Sequence, residues 1–282
     1  MNYELVILDF DGTFTDVEKE AGPFFAAYKA DAKARLGLAD LEEAWERCQA
    51  IVAADPAHYG WSYEGHVVAP GNADPYLRAT VILNMILDER GLVSDPEERR
   101  KLLQTLYHAN YPKADTVFRP DAKRVVEALL ASGVPTVVVT NSETSAVEAK
   151  IDLLSPAGRE RLRVCGDAKK YIVAELGEPD PRFDALPAEV CVEGLRRPIL
   201  VRRGHYYRQL RALWDELEVA PEHTLVVGDI FELDLALPGK LGSDVHLVLK
   251  EMTEEYERRA VEGCAHGAVS DGLRGVLTRV GL

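Results

Sequence analysis

Two aspartates one residue apart, in Asp9-Phe10-Asp11-Gly12-Thr13, directly follow the apolar run Leu5-Val6-Ile7-Leu8. A run that is apolar at every position reads as a strand buried on both faces of a parallel sheet, and such sheets bind ligands beyond the carboxyl ends of their strands. Asp9 and Asp11 stand at that end. Carboxylates placed there can attack as nucleophiles, exchange a proton or hold a hard cation. The pattern recurs twice: Val137-Val138-Val139 runs into Thr140-Asn141, and Leu225-Val226-Val227 runs into Gly228-Asp229, with Asp234 five residues on. Taken singly, Asp-x-Asp-Gly is ordinary turn composition, and the alternative reading of Asp229 or of Asn141-Ser142 is a helix cap. It is the order of three strands, each ending in a polar group, that points to chemistry.

This ordered triplet resembles the haloacid dehalogenase superfamily. The resemblance implies an α/β fold with a doubly wound, mainly parallel, Rossmann-like sheet and a helical cap inserted after the first motif. It implies that Asp9 attacks phosphorus to form an aspartyl-phosphate, while Asp11 protonates the leaving oxygen and then activates water. Thr140 would donate to a phosphate oxygen, joined by the backbone N–H at Asn141. Magnesium would be held by Asp9, the backbone carbonyl of Asp11 and Asp229, with Asp234 as a nearby acidic partner. A phosphate monoester resists hydrolysis strongly enough to need all of these: nucleophile, proton donor and charge neutralisation.

The activity implied is that of a magnesium-dependent phosphatase acting on a small phosphorylated metabolite. A phosphomutase, or a catalytically silent phosphate-binding module on the same fold, is the alternative. Asp11 argues against a dehalogenase, which needs no acid there. Two departures from the family pattern stand out. Ile230-Phe231 follow Gly228-Asp229 where a small polar residue is usual, and the basic residue of the third motif, often Lys followed by Pro, has no Lys-Pro counterpart. Lys169 and Lys170, just past the strand expected at 162–165, are the favoured source of that charge, because an ammonium is a compact point charge suited to a place among carboxylates. Arg203 is the second candidate.

Stepping from motifs to spacing, a strand, crossover helix and strand take about thirty residues, yet well over a hundred separate Leu8 from Val137. Apolar residues at three-to-four spacing predict helices over 24–36, 41–52, 75–88 and 96–109, with Asp95-Pro96 as a cap followed by proline in the first turn. The expected plan is a core of residues 1–14 and 119–282 and a helical cap of 15–118. Further on, the pattern predicts helices over 121–132, 143–154 and 205–217, a hairpin pairing 189–192 with 199–201, and 246–249 as the strand that closes the sheet. Within the cap, the segment from His58 to His66 is rich in aromatics and flanked by glycine and proline. It reads either as packing or as a loop in which Trp61 and His66 meet substrate.

Apolar residues make up 47% of the 282 and charged residues 28%, enough for a sizeable core and a solvated surface. A formal net charge of -14 argues against a nucleic-acid surface, which needs a clustered excess of Lys and Arg. Four scattered cysteines suggest neither a zinc site nor a disulfide framework. With no signal-like start and no membrane-length apolar run, a cytoplasmic protein is expected. The oligomeric state is not legible.

Overall fold

The structure, a computed structural model, describes residues 3–282. The chain divides into two compact units, one built from the residues up to Asp16 together with Phe118–Leu282, the other from Val17–Val117. Among the described residues the strands, in chain order, are β1 (Leu5–Leu8), β2 (Trp61–Tyr63), β3 (His66–Ala69), β4 (Thr136–Val139), β5 (Arg163–Cys165), β6 (Glu189–Val190), β7 (Ile199–Leu200), β8 (Thr224–Gly228), β9 (Asp244–Val248) and β10 (Gly267–Ser270).

In the first unit six of these form a parallel sheet in the order β10-β9-β8-β1-β4-β5. The first strand is therefore interior, and every residue of β1, β4 and β8 is buried. That is why these runs carry no polar alternation: helices cover both faces of such a sheet. The register sets Leu8 beside both Val138 and Val227. Asp9, Thr140 and Asp229 thus leave three adjacent strands at nearly one level. The strand order reverses at β1, which makes this edge the switch point where doubly wound sheets open a crevice.

A core of Val6, Leu8, Phe10, Val125, Leu129, Val138, Ile151, Val227 and Val276 fixes the sheet against the helices Ala122–Ala131, Thr144–Leu154 and Arg274–Val280. One expectation is corrected: the strand at Asp244–Val248 does not close the sheet, since β10 pairs beyond it, with Ser270 beside Val248. Gly267-Ala268-Val269-Ser270 is short and half-buried throughout, so it lacks the apolar run that marks the inner strands. Between Lys170 and the helix Gly204–Leu217 the chain makes a long excursion. Asp180 caps the one-turn helix Pro181–Asp184, β6 and β7 pair antiparallel, and Ala174 and Arg203 bridge in parallel where the chain returns.

The second unit packs the helices Val17–Glu20, Gly22–Leu36, Leu41–Ala54, Pro75–Arg90 and Pro96–Asn110 around Phe24, Tyr28, Trp45, Ile82 and Leu106. Asp74 caps the fourth of these through Tyr76 and Leu77, and Asp95 caps the fifth through Glu98. The aromatic segment, read either as packing or as a loop, carries the β2–β3 hairpin. Glu64 and Gly65 both take positive φ, 48° and 82°, as a two-residue turn matched to strand twist requires, and glycine makes the second of these cheap. No helix among the described residues is long and apolar enough to cross a membrane.

Candidate active site

Asp9 is the first residue beyond β1 and is 8% exposed. Its Oδ1 accepts from Lys170 Nζ at 2.7 Å, and the same ammonium donates to Asp234 Oδ1 at 2.9 Å. Asp229, leaving β8, accepts at Oδ2 from Lys250 Nζ at 2.5 Å. The Thr13 hydroxyl lies 3.3 Å from Asp229 Oδ1 and 3.5 Å from Asp9 Oδ2, so it stands between the two carboxylates. One oxygen from each of Asp9, Asp229 and Asp234 lies within 4.8 Å of the others. Gly12 permits this closeness. It has φ of +83°, and a Cβ there would fall 2.2 Å from Asp229 Oδ2.

The ammonium of Lys170 is held from its own backbone. Asn141 Oδ1 accepts from Lys170 N at 2.8 Å, and Arg203 Nη1 donates to Lys170 O at 2.6 Å while its Nε donates to Leu200 O. Lys169 takes a left-handed φ of 49° and is exposed, whereas Lys170 is 1% exposed. Of the three basic candidates, Lys170 is the one set among the carboxylates. Lys169 is not gathered there, and Arg203 lies behind Lys170 as a buried brace. Asn141, expected to bind through its N–H, uses its side chain to fix the lysine.

Asp11 points to a second set of partners. Ser142 Oγ donates to its Oδ2 at 2.6 Å, and Lys150 Nζ lies 3.5 Å from its Oδ1. Ser142 is therefore an orienter of Asp11 and not a helix cap; Glu143 occupies the cap position of Thr144–Leu154. Thr140 is buried, and its hydroxyl accepts from Ser142 N at 3.2 Å. In the sequence Ser142 reads only as part of a helix cap, and Lys150 carries no signal of its role. Trp61 and His66 belong to the second unit, where Trp61 packs against that unit's core and His66 is exposed.

The segment after Asp229 departs from the family pattern, and the structure gives the physical reason it holds. Phe231–Leu235 forms one wide helical turn that is fully buried. Asp234 closes it locally, its Oδ2 accepting from Ile230 N and its carbonyl accepting from Tyr206 Oη. Glu232 faces away from the carboxylate cluster and accepts two bonds from Arg197, at 2.8 and 2.7 Å, and one from Tyr256 Oη at 2.5 Å. Phe231 N donates to Glu257 Oε1 at 2.9 Å. Partners brought from the excursion and from the helix Glu255–Glu262 thus fasten a turn that lacks a small polar residue of its own.

Burial and then repulsion by Asp234 push the Asp9 carboxyl well above the ordinary range, with Lys170 pulling the other way. Asp234 is raised too, first by burial, against the pull of Lys170. Burial alone would discharge Lys170, but Asp234 and Asp9 overrule it and hold the lysine charged. The ammonium's two short bonds to carboxylate oxygens favour its charged form. The raised carboxyls then express a shortage of positive charge: three carboxylates face two ammonium groups. All the facing ligand atoms are hard oxygens. A small dication of the magnesium type fits that donor set, and Lys250 is the group it would meet at Asp229.

The α/β switch point thus presents a carboxylate pair, a buried lysine and an acidic triad. A family model described as haloacid dehalogenase-like hydrolase matches residues 3–237, and the chain belongs to that family. No curated protein matches the sequence significantly. Among solved structures, the chain is similar to a predicted phosphoglycolate phosphatase from Haemophilus somnus 129PT, with 13% identity, TM-score 0.57 and coverage of 99% of this chain and 98% of that one. The putative HAD-hydrolase YfnB from Bacillus subtilis, described as bound to magnesium, has 14% identity, TM-score 0.56 and full coverage of both chains. A putative β-phosphoglucomutase from Thermotoga maritima has 15% identity, TM-score 0.52 and coverage of 98% and 99%. At these identities the likeness is one of fold.

Proposed function

We propose that this hydrolase is a magnesium-dependent phosphatase that cleaves a small phosphorylated metabolite, in the cytoplasm, through an aspartyl-phosphate on Asp9. The observation that carries this reading is the split of the two motif-one carboxylates: Asp9 paired with Lys170 beside Asp229 and Asp234, and Asp11 apart on Ser142. One carboxylate is thereby dressed as a nucleophile and the other as a proton carrier. Asp9 Oδ1 is engaged by Lys170, which leaves Oδ2 to attack phosphorus as the ester oxygen departs. Asp11, held by Ser142, gives that oxygen its proton and then takes one from the water that hydrolyses the acyl phosphate. Thr140 and the turn amides around Phe10–Gly12 orient the phosphoryl oxygens.

Asp9, Asp229 and Asp234, with the backbone carbonyl of Asp11, are the residues that would hold magnesium, which when bound neutralises phosphoryl charge. Lys170 supplies the fixed charge that the family's third motif calls for. Trp61 and His66 are proposed as substrate-recognition residues on the aromatic segment; His66→Ala should then change the KM for natural substrates and leave turnover of a small aryl ester unchanged. The decisive experiment is release of phosphate from a generic aryl phosphate with and without magnesium, by the wild type and by Asp9→Asn. The expected result is metal-dependent turnover in the wild type and none in the variant, with the fold confirmed by circular dichroism. Turnover by Asp9→Asn at the wild-type rate would overturn the covalent mechanism.

A further inference from the structure

Lys250 has no place in the chemistry above, yet it makes one of the shortest ion pairs in the first unit. Its ammonium lies 2.5 Å from Asp229 Oδ2, and the two side chains are 9% and 1% exposed. The lysine is not a wandering surface group. Its backbone N–H donates to the Thr253 hydroxyl at 3.0 Å, and Thr253 N returns a bond to Lys250 O at 3.0 Å. The preceding carbonyl, Leu249 O, accepts from Arg119, which also donates to Gly12 O. The turn after β9 is thus tied to the turn after β1, and it delivers a positive charge to the carboxylate that leaves β8.

We infer that Lys250 is a resident counter-cation that neutralises Asp229 when no metal is bound and yields that carboxylate to the metal when one arrives. This rests on the metal-dependent reading of the site. The physical argument is one of charge in a buried place. Asp229 is almost fully enclosed, and an isolated buried carboxylate is costly unless paired. Lys170 is already committed to Asp9 and Asp234. Lys250 is therefore the cation that satisfies Asp229. A dication bound to either oxygen of the same carboxylate comes within a few ångströms of the ammonium, so metal capture must displace Lys250 or be weakened by it. The lysine sets the metal affinity of the site downward and steadies the metal-free fold.

The test is magnesium titration of the full-length protein by calorimetry, paired with melting temperatures in chelator and in saturating magnesium. The proteins compared are wild type, Lys250→Met, Lys250→Gln and, as a control, Asp229→Asn. Removal of the ammonium should tighten magnesium binding by on the order of tenfold, lower the melting temperature in chelator, and enlarge the stabilisation that magnesium gives. A residue with a merely structural role would lower both melting temperatures and leave the dissociation constant alone. Magnesium binding by both Lys250 variants at wild-type affinity, or more weakly, overturns the inference and leaves the phosphatase reading standing. If neither wild type nor variants bind magnesium, the metal-dependent reading fails and takes the inference with it. If a variant folds only with magnesium present, the counter-cation role is supported; if neither variant folds under any condition, Lys250 is structural and the inference is wrong.

Discussion

Lys170 shows how much a single buried charge decides. Asp9 and Asp234 lie on either side of its ammonium, the Tyr206 ring lies 5.5 Å below it, and its main chain is pinned on both sides by Asn141 and Arg203. Such a group costs no reorganisation when charge develops on a phosphoryl oxygen, and loss of a preorganised contact of this kind typically costs about 3 kcal/mol, on the order of a hundredfold in kcat. Lys170→Met should show that loss on a generic aryl phosphate. It should also lower stability, because Asp9 and Asp234 are left buried without their partner. Turnover must therefore be normalised to the folded fraction. Lys169→Ala, one residue away but exposed, should be nearly silent in both measurements. Equal losses at the two positions would show that the pair acts as surface charge, and the site would need another cation.

The elements explain what could be read in advance and what could not. β1, β4 and β8 announce themselves because an inner parallel strand has no solvent face, so each is a solid apolar run with its polar residue set at one end. The sequence favours the pair Lys169-Lys170 over Arg203 but does not choose within the pair, because the left-handed turn at Lys169 decides which side chain goes inward, and lysine carries no sequence signal for that conformation. The roles of Lys250, Ser142 and Lys150 are not legible in the sequence, since each reaches its carboxylate across the sheet edge from another crossover. The excursion before the helix Gly204–Leu217 hid its purpose for the same reason. Its Arg197 reaches Glu232 through a bidentate pair and so fastens the turn that carries Asp234. Arg197→Ala should strand a fully buried carboxylate and cost roughly 3 kcal/mol of stability, with a higher magnesium requirement as Asp234 loosens. Adding Glu232→Leu to Arg197→Ala should recover much of the stability, since the unpaired charge is then gone. If the double variant were as unstable as the single one in a denaturant titration, packing by the arginine stem and not charge would hold the turn.

At the scale of the whole molecule, a chain of net charge -14 buries titratable groups of opposite sense, His246 on β9 and Glu257 on the helix Glu255–Glu262, and they give its stability a predictable pH dependence. His246 sits inside β9, its Nε2 2.7 Å from the Ser270 hydroxyl on β10, and burial followed by the repulsion of Arg279 lowers its pKa to about 4. The folded protein therefore holds this imidazole neutral while the unfolded chain protonates it below about 6.5. The unfolded state binds more protons across that window, so the contribution of His246 is fully present above about pH 6.5 and is lost as the pH falls toward 4, by roughly 3 kcal/mol in all. Glu257 acts in the opposite direction. Burial raises its pKa to about 8, so it is protonated when folded at neutral pH, and its contribution is lost as the pH rises from the ordinary carboxyl range to about 8. The two effects partly cancel in the wild type between about pH 4.5 and 6.5, where His246 favours the higher pH and Glu257 the lower. His246→Gln separates them: the amide can keep a hydrogen bond to Ser270 but cannot titrate. Denaturant unfolding at pH 7.5, 6.5, 5.5 and 4.5 should show the variant losing less stability on acidification than the wild type, or even gaining some, with the difference confined to the interval below pH 6.5. Parallel curves for the two proteins over that interval would mean that His246 is solvated in the folded state and that the β9–β10 edge is more open than its burial indicates.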